Sequence, residues 1–250
     1  MDRPQPVSAE LERDLENLRD LNRWFGSYAL ISMFLSRWIK PGATLRIIDL
    51  ATGSADIPRL VAEYGRKVGA RLQIDALDRQ SSTLEIARKL SAAYPEINFV
   101  EGSIVDWMAT EQYDLVLCTL VLHHFSEEDA VGVLTRCRDL SRKFVLVSDL
   151  RRGFLLTAGV WFLTEFLFPE PMTRYDGRLS AERSFSFSEM YQLARGAGWT
   201  NFRHKAFPFS RQAIWLEKRD VAPVSLKEPA DSAVERANPS NLWRTQHLLS

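Results

Sequence analysis

The sequence predicts an α/β protein on a mostly parallel sheet with helices on both faces, and three observations carry that prediction. Leu45, Ile47, Ile48 and Leu50 form the short apolar run of a strand covered on both sides, followed by a turn of small residues and then a helical pattern. An apolar strand followed by a turn or helix recurs after Arg71, Ile97, Tyr113 and Phe144. Asp49, Asp78 and Asp149 stand at strand ends, where open α/β sheets bind their ligands. A chain of 250 residues suits one such domain with appendages.

Composition bounds the function. The formal net charge is +0, which offers nothing to a polyanion, so no nucleic-acid partner is expected. Seven Trp and fourteen Phe point to a sizeable apolar pocket. Cys118 and Cys137 fall in apolar segments without metal-ligand spacing and read as reduced core thiols, and no metal site is expected. The first residues show no apolar signal region, so a cytoplasmic location is expected.

Taken in order, residues 8–22 read as a helix with Ser8 as N-cap, Glu10 and Glu12 in the first turn, and a stripe of Leu11, Leu15, Leu18 and Leu21. A second helix, about 24–39, is rich in aromatic residues and ends before Pro41-Gly42. The first strand then leads into Asp49-Leu-Ala-Thr-Gly-Ser-Ala-Asp56. Ala51, Gly53, Ser54 and Ala55 let a ligand approach the backbone closely, while the acid at Asp49 suits a cationic or amino-bearing ligand better than phosphates. Ile57, Leu60, Val61 and Tyr64 open the following helix, and Pro58 is accommodated in its first turn.

Residues 49–56 resemble the first motif of class I S-adenosylmethionine (SAM) methyltransferases, in the form found in the ubiquinone/menaquinone-biosynthesis enzymes, with Ala51 and Ala55 replacing two family glycines. The resemblance implies a seven-stranded, Rossmann-like sheet with an antiparallel last strand, SAM as cofactor, and a cofactor loop of Asp49, Ala51, Thr52 and Gly53. It makes Asp78 the acid on the ribose hydroxyls, with Arg79 beside it. Independently of the resemblance, a carboxylate at a second strand end can accept from both hydroxyls.

The segment 97–107 is similar to the family's adenine-binding segment. Ser103 stands where the family often has Asp, and Ile104 offers a backbone amide and an apolar face. Residues 113–125 resemble the fourth motif, ending Leu-His-His-Phe, which sets Thr119 beside the sulfonium and methyl group. Imidazole titrates near neutrality, so either histidine could take a proton from a substrate hydroxyl. His124 is nominated as the base and His123 is read as structural.

Asp149 and Arg151 follow the fifth strand and are expected beside the site mouth, on the acceptor side. The apolar stretch 154–168, with Trp161, is too short and too interrupted to span a bilayer and is expected to wall the acceptor pocket. The polar segment 174–185 resembles the substrate-side insertion of methyltransferases encoded beside type III polyketide synthases, so Tyr175, Asp176 and Arg183 are expected to reach the acceptor; a solvated loop is the alternative. A helix from Phe187, two strands over 199–209 and 213–218, and a mobile tail complete the chain.

The expected organisation is therefore N-terminal helices over 1–40, a methyltransferase domain over 41–219 with an insertion at 150–187, and a tail over 220–250. The expected activity is SAM-dependent methyl transfer to a small aromatic or polyketide-like molecule, at oxygen, without stable membrane insertion. A SAM-binding protein that transfers nothing is the alternative. A nicotinamide dehydrogenase is disfavoured by the missing glycines and by Asp49.

Overall fold

The computed structural model describes residues 6–153, 159 and 171–218. The sequence opens with helix α1 (Ala9–Trp24) and helix α2 (Ser27–Trp38). There follow β1 (Thr44–Leu50), α3 (Asp56–Val68), β2 (Arg71–Asp78), α4 (Ser81–Leu90), β3 (Ile97–Glu101) and β4 (Tyr113–Thr119). After a 3₁₀ turn at Leu122–His124 come α5 (Glu127–Leu140), β5 (Ser141–Leu150), α6 (Pro171–Arg183), α7 (Phe187–Gly196), β6 (Arg203–Phe207) and β7 (Arg211–Glu217). The seven strands lie in the order β3-β2-β1-β4-β5-β7-β6. Strands β1 to β5 pair in parallel and β7 runs antiparallel to both of its neighbours. This is the predicted seven-stranded α/β sheet with its antiparallel last strand.

Alternation along the strands supplies one core per face. Ile48, Leu50, Val116, Cys118, Val145 and Val147 meet α5 and α7 on one side. On the other, Leu45, Ile47, Leu115, Leu117 and Leu146 meet α2 and α3. Trp199 does not start a strand as its pattern suggests. It is buried among the first group with Nε1 donating to Leu134 O (2.9 Å), and β6 begins only at Arg203.

The two N-terminal helices pack differently. Helix α2 packs on the sheet, with Trp38 stacked on Phe144 (centroids 4.9 Å apart) and Phe34 edge-on to Trp215. Helix α1 is capped by Ser8 and packs Leu11 and Leu15 against Ile86 of α4. That contact carries it across the carboxyl ends of β1 and β2. Gly26, in the left-handed region at φ 81°, makes the joint between the helices. A Cβ there would come 3.2 Å from the Phe209 ring.

The segment around 174–185 is helical, not the solvated loop weighed as the alternative. Pro171 fits the first turn, and Ala181 and Ser184 are buried at the other end. The apolar stretch 154–168 and the tail 220–250 lie outside the described residues, Gly159 excepted. Among the described residues no helix is long and apolar enough to cross a membrane.

The amino end of β4 is built for stability. Asp114 accepts from Arg46 N (2.9 Å), from Arg142 Nε and Nη2 (2.8 Å each) and pairs with Lys143 Nζ at 3.0 Å. Burial works against its charge, but these partners outweigh it and hold the carboxyl down at about 2. Asp114→Ala is expected to cost about 1–3 kcal/mol, because Arg46 N loses its acceptor and Arg142 and Lys143 lose their shared partner. A carboxyl depressed in the folded state stabilises above the ordinary carboxylate range and loses that contribution as pH falls through about 2. Urea melts of wild type and variant should therefore differ at pH 7 and converge toward pH 2.

Candidate functional site

One cavity of about 870 Å³ opens at the carboxyl ends of the strands and is roofed by α1. Its first wall is the turn after β1. Ala51, Gly53 and Ala55 all lie in the left-handed region (φ 56°, 55° and 57°). At each alanine that conformation carries a steric cost which glycine avoids. Nothing lies within 4 Å of where a Gly53 Cβ would stand, so the backbone there faces open space. Thr52 and Gly53 both line the cavity.

Asp49 does not reach that wall, because it lies beneath the turn and is only 2% exposed. Its Oδ2 accepts from Thr52 Oγ1 (2.7 Å), and its buried Oδ1 has no partner among the described residues. Burial chiefly, then the nearby Asp56 and Asp78 charges, push its carboxyl up to about 8 despite the Thr52 bond. Asp49 thus shapes the cavity through the turn that it holds. Direct contact, as the sequence suggests, would require it to stand on the wall.

Asp78 closes β2 at the cavity lip. Its Oδ2 accepts from Gly53 N (2.9 Å) and its Oδ1 from Gln80 N (3.0 Å), which fixes the carboxylate and leaves each oxygen a further lone pair. Arg79 and, one strand further, Ser103 and Ile104 also line the cavity; Ser103 Oγ accepts from Val105 N at 3.3 Å. Asp56, the last acid of the turn, faces the cavity from the start of α3. Its Oδ2 accepts from Asn22 Nδ2 (3.1 Å) on α1 and from Tyr28 OH (3.2 Å) on α2. These groups are of the kinds that SAM would need: a carboxylate for its ribose hydroxyls at Asp78, an apolar face for its adenine at Ile104, and acids near its sulfonium and ammonium groups.

The next part of the wall is the end of β4. Thr119 lines the cavity, Leu120 is left-handed (φ 56°), and the 3₁₀ turn follows. His123 is 4% exposed and lies on the wall. Its backbone N donates to Asp149 Oδ2 (3.0 Å) and its Nδ1 donates to Asp149 Oδ1 (2.6 Å). Burial opposes the Asp149 charge, but His123 and the N–H groups of Leu150 and His123 outweigh it and keep the carboxyl below its ordinary range. An acceptor-only carboxylate at Nδ1 selects the tautomer whose lone pair is on Nε2, and Nε2 has no partner among the described residues. His124 also lines the cavity, exposed, with its ring 4.3 Å from that of His123.

The remaining expected residues divide. Asp149 is not on the wall: it is buried beneath His123 and bonds to His123 and Leu150. Arg151 is on the wall, tied by its backbone N to Ser210 O (2.7 Å). Arg183 ends α6 as an exposed side chain and is not among the cavity residues. Tyr175 and Asp176 belong to α6, but their side chains lie outside the described residues, and so does Trp161. The sequence reading passes over Asn22, Asp56 and Arg211 and assigns no ligand role to His123. Of these only Asp56 carries a local signal, as the closing acid of the turn.

Comparison with known proteins agrees with this fold. Residues 47–143 match the family model of a methyltransferase domain. An uncharacterized methyltransferase-like protein of Schizosaccharomyces pombe is 27% identical over 168 residues, covering 66% of this chain and 58% of that one. The 2-phytyl-1,4-naphtoquinone methyltransferase of Thermosynechococcus vestitus is 31% identical over 78 residues, covering 31% of this chain and 33% of that one. This chain thus matches 58% and 33% of the two relatives' lengths, less than two thirds of either. Human N-acetylserotonin methyltransferase in complex with SAM superposes with a TM-score of 0.59 at 16% identity, over 84% of this chain and 56% of that chain. The fold is the Rossmann-like α/β fold of methyltransferases.

Proposed function

We propose that this chain binds SAM over the ends of β1 to β4 and transfers the methyl group to an oxygen of a small aromatic or polyketide-like acceptor. The single observation that carries the reading is that the Asp78-anchored turn and the His123–Asp149 pair open onto the same cavity. SAM supplies an electrophilic methyl group on a sulfonium, which is an excellent leaving group. The protein's task is then orientation, water exclusion and removal of one proton.

Asp78 fixes the ribose hydroxyls, the 51–55 turn allows close backbone approach, and Ser103 and Ile104 receive the adenine. Thr119 borders the methyl group at the end of β4. A phenol is a poor nucleophile until it loses its proton. We assign that proton to His123 Nε2, because Asp149 orients His123, whereas the sequence-nominated His124 is exposed beside it. Arg151 and α6, with Tyr175, border the acceptor side in this reading. The cellular setting that suits buried free thiols at Cys118 and Cys137 is the reducing cytoplasm.

The test is conversion of SAM to S-adenosylhomocysteine with and without a panel of phenols. Acceptor-dependent product is expected. A protein that only binds SAM would show affinity and no product.

A further inference from the structure

Arg211 opens β7, directly opposite Leu150 of β5. It lines the cavity although it is only 5% exposed. Among the described residues its one side-chain hydrogen bond runs from Nε to Phe25 O (3.1 Å), at the end of α1. That bond uses one of its five donors.

The nearest acid does not satisfy the rest. Asp149 gives Oδ1 to His123 Nδ1 and Leu150 N, and Oδ2 to His123 N. Burial pulls the Arg211 guanidinium down to about 10, with Asp149 only partly opposing it, so it stays charged at neutral pH. Buried charges are normally paired, and a planar guanidinium fork matches a carboxylate. A buried cation on a cavity wall with most donors uncommitted is a receptor for an anion.

Its position says which anion. Strand order places β7 two strands beyond β4, so Arg211 lies about 10 Å from the end of β4, on the side away from Asp78 and Ser103. Above it, Phe25 and Phe209 meet edge to face with ring centroids 5.9 Å apart, which gives the same region an apolar lip.

We propose that Arg211 binds the carboxylate of an acidic acceptor, an aryl or acyl carboxylic acid whose reacting hydroxyl is then directed toward Thr119 and His123. This rests on the proposed methyl transfer for the identity of the ligand, but the anion site can be tested without turnover.

The experiment is calorimetry of para-hydroxybenzoic acid and para-hydroxyphenylpropionic acid, each against its primary amide, on the full chain saturated with S-adenosylhomocysteine. Wild type should bind the better-fitting acid about tenfold to a hundredfold more tightly than its amide, the gain from one charge-assisted contact. Arg211→Met should close that gap and Arg211→Lys should keep part of it, with melting curves and SAM affinity confirming the fold. Equal affinity of wild type for acid and amide, including none for either, overturns the proposal without any variant. If Arg211→Met weakens SAM and leaves the acid–amide gap, the anion is the cofactor's own carboxylate and the acceptor assignment is wrong. Acid preference without methyl transfer would sink the proposed activity and leave the anion site standing.

Discussion

Replacing His123 by Gln is expected to slow methyl transfer to a phenol by about a hundredfold to ten-thousandfold while leaving SAM affinity intact. Glutamine keeps a polar side chain of similar reach but cannot accept and hold a proton. Asp149→Asn should lose much of the rate as well. An amide no longer enforces the Nδ1–H tautomer that leaves Nε2 as the acceptor, and it leaves His123 N with a weaker partner. His124→Gln should stay within a fewfold of wild type. Single-turnover measurements on the three variants separate the roles, because the opposite ranking, with His124 essential and His123 dispensable, would return the proton to the exposed ring.

Asp78→Ala is expected to weaken SAM binding by about tenfold to a hundredfold, the loss of charge-assisted bonds to the ribose. The same change frees Gly53 N and Gln80 N, so the 51–55 turn should loosen too. Calorimetry in two buffers of different ionisation enthalpy adds a second signature. In the ligand-free protein the Asp49 carboxyl is raised to about 8 and is mostly neutral at pH 7. A cation bound above the turn lowers it, so SAM binding below pH 8 should release protons and tighten as pH rises toward 8. S-Adenosylhomocysteine, without the sulfonium charge, should release fewer. Unchanged affinity in Asp78→Ala would remove the ribose assignment.

The parts of this site that are legible in the sequence are those where local chemistry and position in the strand coincide. The apolar run of β1, the small-residue turn and the acids ending β1 and β2 are contiguous patterns, and the sheet reproduces them in the expected order. The parts that are not legible depend on contacts distant along the chain. His123 and His124 are adjacent and chemically alike, and only Asp149, on the neighbouring strand, distinguishes them. Arg211 carries no local signal in the sequence; the insertion of β7 between β5 and β6 is what brings it to the cavity beside Phe25. Asn22 reaches Asp56 only because α1 crosses the top of the sheet. Asp49 shows the reverse: a motif residue whose burial places it behind the wall, with Asp56 and Asp78 facing the cavity in its stead.

The claim at the centre is that this cavity brings the SAM methyl group and an acceptor oxygen together beside His123. Mass spectrometry after incubation with methyl-labelled SAM and phenolic carboxylic acids tests it most directly. The label is expected on an acceptor oxygen in wild type, with about a hundredfold less product or lower still in His123→Gln at equal SAM occupancy. Bound SAM that is never consumed, or equal labelling by both proteins, would contradict it.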